Sequence, residues 1–133
     1  MRKITIVVLA LAVLLGAAVP GFAKKSKMPA GVKLQQTSLG PALANSKGMT
    51  LYTFDKDSGG KSACNGPCAQ NWPPLAAASG AKMMGDWSVV TRDDGSKQWA
   101  YKGKPLYTFV KDTKPGDTMG DGFLNGAWHV AKP

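Results

Sequence analysis

Lys47–Asp57 reads KGMTLYTFDKD, and Lys102–Asp112 reads KGKPLYTFVKD. Eight of the eleven positions are identical, and every matched pair is 55 residues apart. A polar string of this length does not recur by drift, so the chain carries an internal duplication. Each copy holds Tyr-x-Phe-x-x-Asp, as Tyr52, Phe54, Asp57 and as Tyr107, Phe109, Asp112. Thr50–Asp55 is rich in strand formers, and strand side chains alternate faces. Tyr52 and Phe54 therefore share one face, as do Tyr107 and Phe109. Two such faces packed together build an aromatic core about a pseudo-two-fold axis. Asp57 and Asp112 fall beyond the strand ends, where a carboxylate accepts from following backbone amides and fixes a turn. The alternative is a Tyr–Asp pair lining a binding site in each half.

Working outward, Val32–Thr37 alternates at first like a half-buried strand, Leu39-Gly40-Pro41 interrupts it, and Lys47-Gly48 turns. Trp87–Arg92 is a second strand-rich run, Asp93-Asp94-Gly95-Ser96 is a hairpin signal, and Lys97–Tyr101 returns. Lys102-Gly103 turns again before Pro105–Val110, and Ala127–Ala131 reads as a closing strand. Helical character is confined to one turn around Cys68–Trp72. The expected fold is all-β: two pseudo-symmetric three-stranded antiparallel meanders, each with the motif as third strand, packed as one small sandwich or barrel-like domain.

The N-terminus reads as an export signal. Met1-Arg2-Lys3 is basic, Ile4–Val19 is almost wholly apolar, and Gly21-Phe22-Ala23 sets small residues before a cleavage site. The apolar run is short for a membrane span. No cysteine precedes Cys64, so no N-terminal lipidation site is expected. The expected organisation is a signal peptide over 1–23, a flexible leader over 24–31, and one β domain over 32–133 made of repeats at about 32–75 and 84–133. Removing Arg2 and Lys3 takes the formal charge from +9 to +7. Lysines spread along the chain suit a solvated surface, or attraction to an anionic surface or acidic envelope partner. With Arg92 the one arginine left, bidentate nucleic-acid contacts are not expected. The mature protein is expected to be periplasmic or secreted and not membrane-spanning.

Cys64-Asn65-Gly66-Pro67-Cys68 suits a disulfide in an oxidising compartment, since a tight turn sets two such Cα atoms about 6 Å apart. The competing reading is redox or copper chemistry at Cys64 and Cys68, with His129 as a third metal ligand. Ligand spacing works against it, because Trp72 and Leu75 stand where a binuclear copper site has His and Met. Apart from copper in that alternative, no cofactor is expected. Met28, Met49, Met83, Met84 and Met119 lack the dense spacing of a copper-binding or oxidant-scavenging array. Trp72-Pro73-Pro74-Leu75 reads as a rigid apolar connector, with Trp72 also available to stack on a ligand. Gly116–Gly122 has calcium-loop character in Asp117 and Asp121 but fails the spacing, and the acids comprise eight Asp and no Glu. No nucleophile elbow, histidine cluster or phosphate loop is present, so no catalytic residues are assigned.

Taken together, these residues resemble the secreted-repeat, or predicted-lipoprotein, family with a Tyr-x-(Phe/Trp/Tyr)-x-x-Asp motif. Tyr52/Phe54/Asp57, Cys64…Cys68…Trp72-Pro73-Pro74-Leu75 and Tyr101-x-Gly103-x-Pro105-Leu106-Tyr107-x-Phe109 with Asp112 carry the likeness. Pro115-Gly116-Asp117-Thr118-x-Gly120 and Trp128-His129-Val130 extend it. The resemblance implies an envelope protein with paired repeats and no assigned activity. From the residues, the expected role is a non-enzymatic, disulfide-stapled domain binding a ligand or partner, with Tyr52, Phe54, Asp57, Trp72, Tyr107, Phe109 and Asp112 as candidate binding residues.

Overall fold

A computed structural model describes residues 28–133; the expected signal peptide and the first part of the leader lie outside the described residues. Among the described residues seven strands and two short helical elements follow one another: β1 Val32–Thr37, β2 Gly40–Asn45, β3 Tyr52–Phe54, α1 Pro67–Asn71, β4 Trp87–Thr91, β5 Lys97–Tyr101, β6 Lys104–Pro105, α2 Phe123–Gly126 (irregular at Leu124 and Asn125) and β7 Trp128–Val130. They form three small antiparallel sheets, β1-β2, β3-β7 and β4-β5-β6. The fold is all-β, as the alternation predicts, but no barrel closes. At the N-terminal edge Pro29 is buried and Met28 packs on the core, so the end of the expected leader joins the domain.

Only the start of each repeated stretch acts as the third strand of its own half: Met49–Leu51 pairs with β2 and Lys104–Leu106 with β5. In the second half β6 spans only Lys104–Pro105 and pairs with β5, and Tyr107 lies beyond it. From the tyrosines onward the two copies leave their own halves and pair with each other. The Tyr52 amide donates to the Tyr107 carbonyl at 2.8 Å, and the Tyr107 amide returns to Tyr52 at 3.0 Å. These reciprocal bonds mark the pseudo-two-fold axis.

Each motif is then flanked by the tail of the opposite repeat. β3 pairs with β7, setting Phe54 opposite Trp128 and Tyr52 opposite Val130. Correspondingly, Thr108 donates to the Pro73 carbonyl at 2.8 Å and Val110 to the Asn71 carbonyl at 3.0 Å. Trp72–Leu75 is thus the counterpart of Trp128–Ala131. Pro73 and Pro74 have no amide proton, so this copy makes isolated bridges where the other makes a strand. The halves are therefore interlocked, each tail lying across the other half's motif.

Alternation along the repeat splits the interior into two cores. Leu51 and Leu106 enter one with Leu43, Trp87, Trp99 and Ala131, while Tyr52 and Tyr107 turn the opposite way. The tyrosines join Phe54, Cys64, Trp72, Phe109, Trp128 and Val130 in an aromatic core. β2 lies between the cores: Ala42 faces the aromatic one and Leu43 the other, so both of its faces are buried.

Candidate functional site

The motif residues converge at the axis. The Tyr52 hydroxyl donates to Asp112 Oδ2 at 2.6 Å, and the Tyr107 hydroxyl donates to Asp57 Oδ2 at 2.7 Å. The Tyr–Asp pairs thus join the two halves, and the alternative of a pair lining a site within each half does not hold. The other oxygen of each carboxylate closes its own loop, Asp57 Oδ1 taking the Ala63 amide at 2.7 Å and Asp112 Oδ1 the Met119 amide at 2.9 Å. Burial pushes both carboxyls above the ordinary aspartate value, against the pull of these donors. Burial first, and the facing carboxylate second for Tyr52, drive both phenols well above their usual range.

Between the pairs runs a stack of four rings: Phe54, Trp128, Trp72, Phe109. Centroids are 4.2 Å apart for Phe54–Trp128, 3.7 Å for Trp128–Trp72 and 4.0 Å for Trp72–Phe109. The motif phenylalanines cap the ends, and each tyrosine meets a tryptophan edge-on, Tyr52–Trp72 at 5.3 Å and Tyr107–Trp128 at 5.1 Å. Aromatic pairs in such geometries contribute about 0.5–1.5 kcal/mol each beyond burial. Trp72 is only 4% exposed and has both faces covered, so no face is open for ligand stacking.

Behind Tyr107 lies a polar chain that sequence reasoning missed. Ser62 Oγ is 2.7 Å from the Tyr107 hydroxyl. Since that hydroxyl donates its own proton to Asp57, Ser62 is the donor here. Arg92 Nη1 donates to Ser62 Oγ at 3.0 Å and to Gln98 Oε1 at 2.8 Å, and Nη2 to the Cys64 carbonyl at 2.7 Å. Gln98 in turn donates to the Leu106 carbonyl at 2.8 Å. Arg92 is 6% exposed, so a guanidinium from the second repeat is buried against the cysteine loop of the first. Nothing in its local sequence distinguishes it from a surface arginine; its place at the end of β4, opposite the Cys64 loop, comes from the tertiary fold.

Cys64 and Cys68 are joined as a disulfide with Cα atoms 5.2 Å apart, Cys64 buried and Cys68 partly so. Both sulfurs are thereby bonded and offer no thiolate. His129 sits on the exposed side of β7 and meets Asp55 Oδ2 at 2.9 Å. Asp117 takes the Thr113 and Lys114 amides, and Asp121 takes the Val130 amide, so the supposed calcium loop spends its carboxylates on its own backbone. Met83 and Met119 are exposed, whereas Met84 packs against the second core. A further surface element is a concavity of about 410 Å³ lined by Thr53, Tyr101, Lys102, Lys104, His129 and Lys132, among others.

Fold and clamp define a duplicated all-β domain in which motif, tail and disulfide loop interlock across a pseudo-two-fold axis. The chain belongs to the lipoprotein-15 family, described as a secreted repeat of unknown function, whose two matches cover residues 33–76 and 88–132. Those matches end just past Leu75 and Ala131, so each unit contains a motif and the tail that crosses to the other half. The family is an exported one, and no helix among the described residues is long and apolar enough to cross a membrane. Comparison with curated proteins and with solved structures found no match.

Proposed function

We propose that this protein is a non-enzymatic binding domain of the cell envelope, in which the duplicated motif supplies rigidity and the outer surface engages a ligand or partner. The supporting observation is that the acid–base groups of the motif are spent on one another. Both phenols and both carboxylates are partnered across the axis, Tyr52, Tyr107 and Asp112 buried and Asp57 half-buried. A general base must sit within hydrogen-bond reach of a substrate proton, and here each carboxylate oxygen already faces a phenol or a backbone amide of the protein. On this reading residues 1–23 are cleaved on export, and the mature form begins at Lys24. The envelope component is met on the surface, and the lysine-rich composition directs it toward anionic material.

The test is co-sedimentation of the purified exported protein with isolated sacculi and with membrane vesicles, alongside the intact mass of the mature form. Saturable binding without change to either component, and a mass starting at Lys24 with a closed disulfide, is the expected result. Binding to neither fraction would remove the proposal. Free thiols carrying copper would replace it with the redox alternative at Cys64 and Cys68.

A further inference from the structure

Three lysines line the concavity beside β7. Lys102 and Lys104 come from the β5–β6 hairpin and Lys132 from the residues just after β7, with Tyr101, Thr53 and His129 completing the lining. Its volume of about 410 Å³ lies in the range of small-molecule sites. Among the described residues none of these three lysines forms a salt bridge; Asp55 is engaged with His129 and Asp121 with the Val130 amide. Lys132 donates to the Leu39 carbonyl, which fixes its direction and leaves two of its protons free. The Lys102 ammonium is 5.2 Å from the centroid of the Tyr101 ring. Like charges held round one depression repel, and a bound anion relieves that repulsion.

The turn carrying Lys102 is a second, independent sign. Tyr101 pairs with Lys104, so the hairpin loop is Lys102-Gly103, with φ of 51° and 82°. Two consecutive left-handed residues select Asn-Gly, Asp-Gly or Gly-Gly, and lysine is out of type at the first place. In the first repeat the same dipeptide, Lys47-Gly48, leaves Lys47 out of the left-handed region. A local rule is broken here at a position that lines the concavity, as happens where function overrides propensity.

We infer that this concavity binds an organic phosphate. The inference rests on the binding-domain reading and names its ligand class. A phosphate monoester carries up to two charges and three terminal oxygens, which suits a lining that holds three lysines whose ammonium groups act as point charges. A carboxylate, with one charge and two oxygens, leaves a lysine unmatched. Tyr101, Val130 and Ala131 supply an apolar wall for the organic body.

The experiment titrates the full exported protein with glycerol 1-phosphate at low salt, about 50 mM, where surface charge is least screened, following amide shifts and heat. Inorganic phosphate and glycerol are run in parallel, as are phosphatidylglycerol and phosphatidylcholine vesicles. Saturable binding with shifts confined to residues 101–104 and 129–132 is expected. The triple change Lys102→Asn, Lys104→Gln, Lys132→Gln should weaken it about tenfold or more, whereas Lys33→Gln with Lys47→Asn should leave it unchanged. Lys102→Asn alone should raise Tm by up to a few degrees through relief of the turn and still weaken binding, which separates lost affinity from lost fold. Preference for phosphatidylglycerol vesicles would identify a lipid headgroup as the source, and preference for the free ester a soluble one. No saturable shift at about 20 mM, shifts on another face, or equal losses from the Lys33/Lys47 control would overturn the assignment. If the triple variant binds glycerol 1-phosphate as tightly as wild type does while still sedimenting with the envelope, the phosphate assignment fails and the binding-domain reading stands. If glycerol 1-phosphate binds at the lysines while sedimentation is absent, the reverse holds.

Discussion

The Tyr52 hydroxyl is 2.6 Å from Asp112, a residue 60 positions away in the other repeat, while Tyr107 makes the mirrored contact to Asp57 at 2.7 Å. Each phenol donates to a carboxylate and accepts one further bond: Tyr107 from Ser62 at 2.7 Å, Tyr52 from the Gly120 amide at 3.2 Å. Removing either hydroxyl leaves a carboxylate short of a donor inside the protein, at about 1.5–3 kcal/mol. Tyr107→Phe should cost more than Tyr52→Phe, because it also strands Ser62 at the shorter contact. Urea unfolding of both variants checks the order. A double-mutant cycle of Tyr52→Phe with Asp112→Ala should give a coupling of about 0.5–3 kcal/mol, and Tyr52→Phe with Asp57→Ala a coupling near zero.

The same burial sets the response to alkali. Both phenols have folded pKa values far above the unfolded value of 10.0, with burial the first cause. Raised values mean that the folded state keeps two protons the unfolded state releases. The stabilisation is complete below pH 10.0 and is lost as pH rises beyond it. Two protons give a slope of about −2.7 kcal/mol per pH unit at 25 °C. Tyr52→Phe should halve that slope, and a variant with an unchanged slope would show that Tyr52 ionises freely in the fold.

Acid should act in two opposing stages. Asp57 and Asp112 are raised above 3.8 by burial, so their contribution is present below that value and lost as pH rises through their folded values. Asp94 and Asp117 are lowered, chiefly by the Ser96 hydroxyl and the Thr113 amide respectively, and their contribution is lost as pH falls. From neutral pH downward, Tm should first rise as Asp57 and Asp112 take up protons, then fall once Asp94 and Asp117 do so. Asp57→Asn should flatten the rise, which a thermal melt series between neutral pH and the aspartate range measures.

The 55-residue spacing and the Tyr-x-Phe alternation were enough to read a duplicated β domain with an aromatic core. What they could not supply was the exchange between halves. A Tyr–Asp spacing is the same whether the partner lies in its own repeat or the other, and only the Tyr52–Tyr107 backbone bridge decides it. The second repeated element, Trp72–Leu75 against Trp128–Ala131, was hidden because Pro73 and Pro74 erase the strand pattern from one copy. Arg92, Lys104 and Lys132 carry no periodic signal, and the match of Lys102 to Lys47 does not say what it lines. Their roles depend on which loops the fold sets beside them.

Arg92 is the strut between the disulfide loop and Tyr107. Arg92→Met keeps the bulk but leaves Gln98, the Cys64 carbonyl and Ser62 without their donor, and the expected loss is about 3 kcal/mol. Opening the disulfide itself should cost less, about 2 kcal/mol for so small a loop, because Arg92 still holds the Cys64 carbonyl at 2.7 Å. In the Arg92→Met background that support is gone, so reduction should destabilise by more than it does in wild type. Unfolding curves of both proteins, oxidised and reduced, give the comparison; additive losses would show that the two act separately.

Gly120 tests the ring stack without touching a ring. Its backbone lies in ordinary negative-φ or extended territory, so any intolerance there is steric. A Cβ at this position would stand 2.6 Å from Trp72 Cη2, 2.8 Å from Trp72 Cζ3 and 3.0 Å from Tyr52 Cε2. Trp72 is clasped between Trp128 and Phe109 and has no free direction in which to yield. Gly120→Ala should therefore cost about 1–3 kcal/mol by overpacking. Gly122 gives the contrast, since a Cβ there meets open space and only its φ of +80° resists, so Gly122→Ala should cost about 1 kcal/mol. Trimming the obstructing ring separates the causes. In a Trp72→Phe background the added methyl at Gly120 should lose most of its penalty, while the Gly122 penalty stays the same. A Gly120→Ala cost that persists after the indole is trimmed would mean that the Tyr52 edge is the limiting wall.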